Sequence, residues 1–355
     1  MSNYQIITDS ACDLPESLLQ ELKISKVSLS VLFQGESRTD SVDAGIQEFY
    51  DGLRAGEVAT TSAVNPDGWA NVIEPAFPAG QDALVLAFSS GLSTTYQSAV
   101  IAANELMEKY PERKAYVVDT LCASLGQGLL VWYACRKRDE GYSLETLRDW
   151  VEENKLNLCH WFTVDDLMFL KRGGRVSATT ALVGTMLQIK PVLHVDDEGH
   201  LINVAKARGR KAAIEALAKK VAELGEGFNN ETMFISHGDC LEDAEYLARI
   251  LKEKHGAKHV HINHVGAVIG SHAGPGTLAL FFLGKHRCFH TKPPAINGRG
   301  FSALHEPATV FYIGICYSVK VYLTKLPLPS PVVITVSPLA FFAISITGNL
   351  PFALT

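Results

Sequence analysis

Five hydroxyl side chains, Ser89, Ser90, Ser93, Thr94 and Thr95, are crowded into LAFSSGLSTTYQSAVIAANEL, residues 86–106. The apolar residues before them read as a strand, and the spacing after them predicts a helix starting around Ser93 to Tyr96. A hydroxyl at a helix start caps a free backbone N–H, and that is the ordinary role for a serine there. The remaining free N–H groups favour an anion. A strand running into such a helix therefore offers an anion a place to sit.

Other stretches could join this corner. TDSACDLP (8–15) gathers Thr8, Asp9, Ser10 and Asp13 at the end of an expected strand, and ATTSAVNP (59–66) places Thr60, Thr61 and Ser62 before Pro66. LKRGGRVSATT (170–180) sets Lys171, Arg172 and Arg175 around two glycines, before a helix expected to be capped by Ser177. VIGSHAGPGTLALFF (268–282) puts His272 just ahead of Gly274-Pro275-Gly276, a tight-turn sequence. Taken singly, each stretch reads as turn chemistry. Taken together, hydroxyls, a histidine and arginines without a cluster of metal ligands point to a site for an anionic group.

GLSTT also resembles the G-x-S-x-G elbow of α/β hydrolases, with Ser93 in the nucleophile's place. Thr95 stands where the strained elbow needs glycine, which weakens the likeness. The alternative reading it leaves open is a serine hydrolase or esterase with Ser93 as nucleophile and His272 as base.

The elements that must position these residues alternate. YQIITDS, DALVLAFSS, KAYVVDT, LCHWFTV, ETMFISHG and KHVHINHVG are short apolar runs rich in Val, Ile or aromatics, and most end in a small polar residue. Between them PESLLQELK, YQSAVIAANELMEK, ALVGTMLQ, RKAAIEALAKKVAELG and EDAEYLARILKEKHG carry apolar residues three and four apart. Such alternation predicts an α/β protein with helices over largely parallel sheets, whose ligands lie beyond the carboxyl ends of the strands.

The whole chain sets limits. Its 355 residues suffice for two α/β domains, here placed at 1–160 and 161–287. A net charge of −6 argues against a nucleic-acid or anionic-membrane binder. The cysteines Cys12, Cys122, Cys135, Cys159, Cys240, Cys288 and Cys316 show no CxxC pairing, which fits a reducing compartment. MSNYQIITDSACDLP lacks the basic and apolar regions of a signal peptide, so a cytoplasmic location is expected.

Composition breaks near Arg287. Residues 288–355 hold only Lys292, Arg299, Glu306, Lys320 and Lys325 as charged residues, yet 8 of the 15 prolines, leaving 28 basic and 37 acidic residues in 1–287. The run VVITVSPLAFFAISI (332–346) is interrupted by Pro338 and falls short of the ~20 apolar residues of a spanning helix. The tail 288–355 reads as an apolar, proline-rich segment outside the fold, and no stable membrane insertion is expected of 1–287.

Residues 3–285 resemble the DegV family. The likeness rests on IITDSACDLP, TTSAVNP, SSGLSTTYQSA, VVDTLCASLGQGLLV (117–131), LKRGGRVS, IKPVLHVDDEGHL (189–201), ISHGDCLEDA (235–244) and GAVIGSHAGPGTLALFF, all in order. Many relatives have glycine where Thr94 stands. The tail from about Cys288 has no counterpart.

The resemblance implies a bacterial, non-catalytic carrier of two α/β domains with a long-chain fatty acid of the palmitate or oleate class buried between or within them. It assigns the carboxylate to Thr61 and Ser93, and with them His272 through its S-H-x-G-P-G turn. It further implies presentation of the acyl group to a separate ATP-dependent fatty acid kinase subunit in phospholipid metabolism, with Arg172 and Arg175 as possible contacts to that kinase or its phosphates. No cofactor is implied, and the chain has no G-x-x-x-x-G-K-[ST] phosphate loop of its own. A buried acyl chain demands an apolar tunnel, for which Leu129, Leu130, Val131, Leu167, Met168, Phe169, Leu182, Val183, Met186 and Leu187 are the candidates. Each buried CH₂ contributes about 0.8 kcal/mol, so sixteen carbons contribute on the order of 10 kcal/mol before ordering costs.

Overall fold

The computed structural model describes residues 3–176 and 189–287. The expected helix over ALVGTMLQ, the cap at Ser177 and the tail 288–355 lie outside the described residues.

The first half contributes β1 (Tyr4–Asp9), β2 (Ser25–Val27), β3 (Ser30–Phe33), β4 (Glu36–Thr39), β5 (Thr60–Ser62), β6 (Asp82–Ala87) and β7 (Ala115–Asp119). The second contributes β8 (Leu158–Thr163), β9 (Ile189–Val195), β10 (Leu201–Arg208), β11 (Thr232–His237), β12 (His259–His264) and β13 (Leu278–Leu283). Among the described residues these form three sheets, in the orders β2-β1-β6-β7, β10-β9-β8-β13-β11-β12 and β4-β3-β5.

The first sheet is parallel throughout, with Ile7 opposite Val85 and Val85 opposite Val117. Parallel strands are covered on both faces and read as continuous apolar runs, which is why Ile6 and Ile7 are both fully buried although they point opposite ways. The six-stranded sheet corrects the expectation of largely parallel sheets. Only β11 and β12 pair parallel there; β8–β9, β9–β10, β8–β13 and β11–β13 are antiparallel. The short turn between β9 and β10 permits only an antiparallel hairpin, and β13 enters between β8 and β11 against both.

The helix Leu125–Asp139 lies between the two large sheets. Its Leu129, Leu130, Val131 and Ala134 share one buried cluster with Ile6, Leu84 and Leu86 of the first sheet and with Leu158, Phe162 and Phe281 of the second. The opposite face of the first sheet, through Ile7, Val85 and Ala87, packs with Trp69, Ala99 and Ala103 of the helices Pro66–Ile73 and Thr95–Lys109. The outer face of the second sheet, through Trp161, Met233 and Leu280, is covered by Leu217 and Leu247 of the helices Arg210–Leu224 and Leu241–His255.

Local sequence sets several helix starts. Pro66 occupies the first turn of its helix while the Asn65 side chain accepts from Gly68 N at 2.8 Å, a capped start suited to a residue without an N–H. The Asp166 side chain accepts from Met168 N at 2.8 Å and starts the helix Leu167–Arg172. That helix brings Arg172 and the two glycines after it toward the helix Ala267–Ala273.

Candidate functional site

The strand-to-helix corner is built from β6 and the helix Thr95–Lys109, which begins within the expected window. Its five hydroxyls divide into two kinds. Ser89 and Thr95 are fully buried and structural: Ser89 Oγ donates to Gly199 O at 3.0 Å, and the Thr95 carbonyl accepts from the Trp69 indole at 3.0 Å. Ser90, Ser93 and Thr94 line a cavity of about 460 Å³, within the range of small-molecule sites. Ser93 Oγ accepts from Thr95 N at 3.2 Å and lies 2.8 Å from Thr95 Oγ1. This hydroxyl thus satisfies the first N–H of the helix from the residue ahead of the cap, and its residue lines the cavity.

Thr61 and His272 meet at the same cavity. Thr61, the middle residue of β5, places Oγ1 2.8 Å from His272 Nε2. His272 comes from the last turn of the helix Ala267–Ala273, and its ring packs so closely on Gly173 that a Cβ there would stand 2.1 Å from Nδ1. Burial, reinforced by the Arg175 charge, pushes the His272 pKa down to about 4, so the imidazole is neutral at pH 7.

Arg175 also lines the cavity, half-buried rather than projecting from the surface. Its Nε donates to Leu92 O at 3.2 Å and its Nη1 to Gly173 O at 2.5 Å, and burial pulls its pKa downward. Arg172 is exposed, with its guanidinium 4.6 Å from the Phe169 ring centre, and does not line the cavity.

The rest of the wall is mostly apolar, and it comes from both halves of the chain. Leu29, Phe88 and Leu92 face Phe162, Leu170, Val195, Leu201, Ile269 and Phe281. Among the described residues the wall holds no Asp, Glu or Lys, so Arg175 is its one fixed charge there. An apolar chamber with hydroxyls, a neutral imidazole and one cation at its polar part can take an apolar molecule ending in an anion.

The family model described as "Uncharacterised protein, DegV family" matches residues 3–285. The chain belongs to the DegV family. A DegV domain-containing protein of Clostridium perfringens is 46% identical over 286 residues, spanning 80% of this chain and 98% of the relative. A DegV family protein from Thermus thermophilus, described for its fatty acid binding, superposes with a TM-score of 0.72 at 33% identity, over 79% of this chain and 99% of that one. A degv lipid binding protein from Thermotoga maritima superposes with a TM-score of 0.71 at 31% identity, over 81% of this chain and all of that one.

In this DegV chain the sequence-expected residues fall in different places. Thr61, Ser93, His272 and Arg175 converge on one cavity and Arg172 stays outside it. The expected tunnel wall needs correction. Leu129, Leu130, Val131 and Leu167 belong to the packed core, Met168 is 51% exposed, and Phe169 packs against Gly274; none of them lines the cavity. Helical apolar spacing marks a face that is buried without telling a packed neighbour from an open chamber. Leu182, Val183, Met186 and Leu187 lie outside the described residues.

The wall draws instead on strands, loops and the helix Ala267–Ala273; of its residues His160, Phe162, Ser236 and Phe281 were not singled out by the sequence. The alternation of LCHWFTV is the signal that was available, since it puts His160 and Phe162 on one face of β8. His160 Nδ1 lies 3.0 Å from Leu158 O, and its ring stands edge-on to Phe281 with centroids 5.3 Å apart. Burial holds its pKa well below the usual histidine range.

The TDSACD turn lies behind the cavity and lines none of it. Asp9 accepts from Ala11 N at 3.1 Å and Phe88 N at 2.7 Å, tying the turn to the corner, and burial raises its pKa to about 7. The hydrolase constellation is not assembled: His272 is bonded to Thr61, and Ser93 to Thr95. Among the described residues there is no group of three potential metal ligands and no helix long and apolar enough to cross a membrane.

Proposed function

We propose that this protein binds a long-chain fatty acid in the cavity, with the carboxylate held by Thr61, Ser93 and His272, and presents it to a separate ATP-dependent kinase for acyl phosphate formation. The observation that carries the reading is the composition of the wall: apolar side chains from both halves, with Arg175 as the one fixed charge among the described residues and no carboxylate to repel an anion. That the Thermus and Thermotoga relatives are described as fatty-acid- and lipid-binding supports it.

Each group then has a role. The hydroxyls of Thr61 and Ser93 exchange their internal partners, His272 and Thr95, for the carboxylate oxygens. Neutral His272 supplies one ring N–H, to Thr61 or to the carboxylate, and the start of the helix Thr95–Lys109 adds its positive end. With these partners and the Arg175 cation, the carboxylate remains ionised in spite of desolvation. Burial of the acyl chain supplies the affinity, at about 0.8 kcal/mol per CH₂. The protein contributes positioning and no bond-making group; the exposed Arg172 meets the kinase or its phosphates, for which the guanidinium fork is suited, while Arg175 serves the carboxylate from the cavity wall.

The test is mass spectrometry of organic extracts from the purified protein, beside Ser93→Ala and Thr61→Val variants of equal folded content. A stoichiometric fatty acid in the parent, reduced in both variants, is the expected result. No lipid in the parent, even after incubation with palmitate or oleate, overturns the reading.

A further inference from the structure

His272 rides on a helix of 7 residues, Ala267–Ala273, too short to be stable by itself. Its own N-cap, Gly266, has no side chain to satisfy the first N–H groups. Two buried carboxylates from distant parts of the chain do this instead. Asp13 Oδ1 accepts from Gly266 N at 3.0 Å, and Asp40 Oδ1 accepts from Val268 N at 2.9 Å. Both carboxylates are themselves fixed. Asp13 Oδ2 accepts from Ser124 Oγ, and Asp40 Oδ2 accepts from Ser10 Oγ at 2.7 Å.

The seat is tight as well as polar. A Cβ on Gly266 would stand 2.7 Å from Asp13 Oδ1 and 3.2 Å from Asp40 Oδ1, so the backbone runs directly between the two carboxylates. Tyr50 Oη donates to Val265 O at 2.8 Å, and a Cβ on Gly270 would stand 2.7 Å from Tyr50 Oη. The amino end of the helix is therefore fixed by Asp13, Asp40 and Tyr50, and its other end delivers His272 to Thr61.

We infer that Asp13 and Asp40 are positioning residues for the head-group site: by capping the helix Ala267–Ala273 from outside they set the place of His272, and so the geometry in which Thr61 and His272 receive a carboxylate. Neither aspartate lines the cavity, so neither touches the ligand. Two carboxyl groups buried side by side are costly, and burial together with the charge of Asp40 raises Asp13 well above the usual carboxylate range. Their placement at the one helix that carries the head-group histidine accounts for a pair that fold stability alone would not favour. This inference rests on the reading of His272 as part of a carboxylate site.

The test compares affinities for palmitate and for hexadecanol, which has the same chain length and no carboxylate, in the full chain. Asp40→Ala is expected to weaken palmitate roughly tenfold, the scale of a lost hydrogen bond to a charged group, and to leave hexadecanol within about twofold. Asp40→Asn, which retains the acceptor for Val268 N, is expected to restore palmitate binding to within about threefold. In a His272→Ala background Asp40→Ala is expected to cost nothing further. If Asp40→Ala does not fold, Asp40→Glu, which moves the acceptor by one methylene, is expected to show the same selective loss. Equal losses for palmitate and hexadecanol, or losses that add in the double variant, overturn the inference while leaving the head-group reading intact. A parent protein with no preference for palmitate over hexadecanol overturns the head-group reading itself, and this inference with it.

Discussion

Thr61 Oγ1 and His272 Nε2 lie 2.8 Å apart although 211 positions separate them in the chain. The contact joins β5 of the small antiparallel sheet to the helix Ala267–Ala273 of the second half, and it closes the polar part of the cavity. Most consequences that can be measured start from it.

Removing either hydroxyl should weaken fatty-acid binding without unfolding the protein. Thr61→Val and Ser93→Ala each delete one hydrogen bond to a charged group, about 1.5–3 kcal/mol, or roughly tenfold to a hundredfold in affinity. Displacement of a fluorescent fatty acid measures this, with circular dichroism as the control for folding. Unchanged affinity in both variants would place the carboxylate elsewhere.

Acid should loosen the site through His272. Its folded-state pKa of about 4 lies below the ordinary value of 6.5, so the unfolded chain binds more protons between these values. The stability contributed by the neutral, buried ring is complete above about pH 6.5 and is lost as pH falls toward 4. His272→Gln removes this component, and its melting temperature should fall less steeply than the parent's from pH 7 to pH 5. Asp9, raised to about 7 by burial, acts in the opposite direction over a window below neutrality and is common to both proteins, so it cancels in the comparison.

Gly173→Ala should act on binding through His272. The new methyl would meet Nδ1 at 2.1 Å and Cγ at 3.0 Å, and the ring must leave Thr61 to make room. An overpacking cost of about 1–3 kcal/mol is expected, together with a loss of palmitate affinity. A crystal structure of the variant with the Thr61–His272 contact intact would refute this account.

Arg172→Ala should lower acyl phosphate formation in the presence of a kinase while the lipid still co-purifies, because the acyl chain dominates the binding energy. Quantifying extracted lipid beside the phosphoryl-transfer rate separates the two effects. Arg175→Ala, which removes the cation of the carboxylate site together with its bonds to Leu92 O and Gly173 O, should lower both.

Much of this molecule is legible from local pattern. The apolar runs that became β1, β6, β7, β8, β11 and β12 are dense in strand-forming residues, and the helices Thr95–Lys109, Arg210–Leu224 and Leu241–His255 follow their apolar spacing. The corner hydroxyls stand where a helix start leaves N–H groups free, and Ser93 Oγ accepts from one of them, Thr95 N. What escaped were short strands of little individual signal. β2 and β5 have 3 residues each and are stabilised only by their neighbours, and β10, exposed along most of its length, is held as one arm of a hairpin.

The sequence by itself determined the strand and helix alternation, the family and the residue types at the polar part of the cavity, because these depend on period and on local backbone chemistry. Only the tertiary structure decided which apolar residues enclose a chamber and which fill a core: Leu129 and Phe162 are equally apolar and both buried, yet one is packed between the sheets and the other faces the cavity. It also decided that His272 meets Thr61 and that Asp13 and Asp40 cap the helix beneath it. These are contacts between segments far apart in the chain, and no local periodicity encodes the distance across which two segments will finally touch.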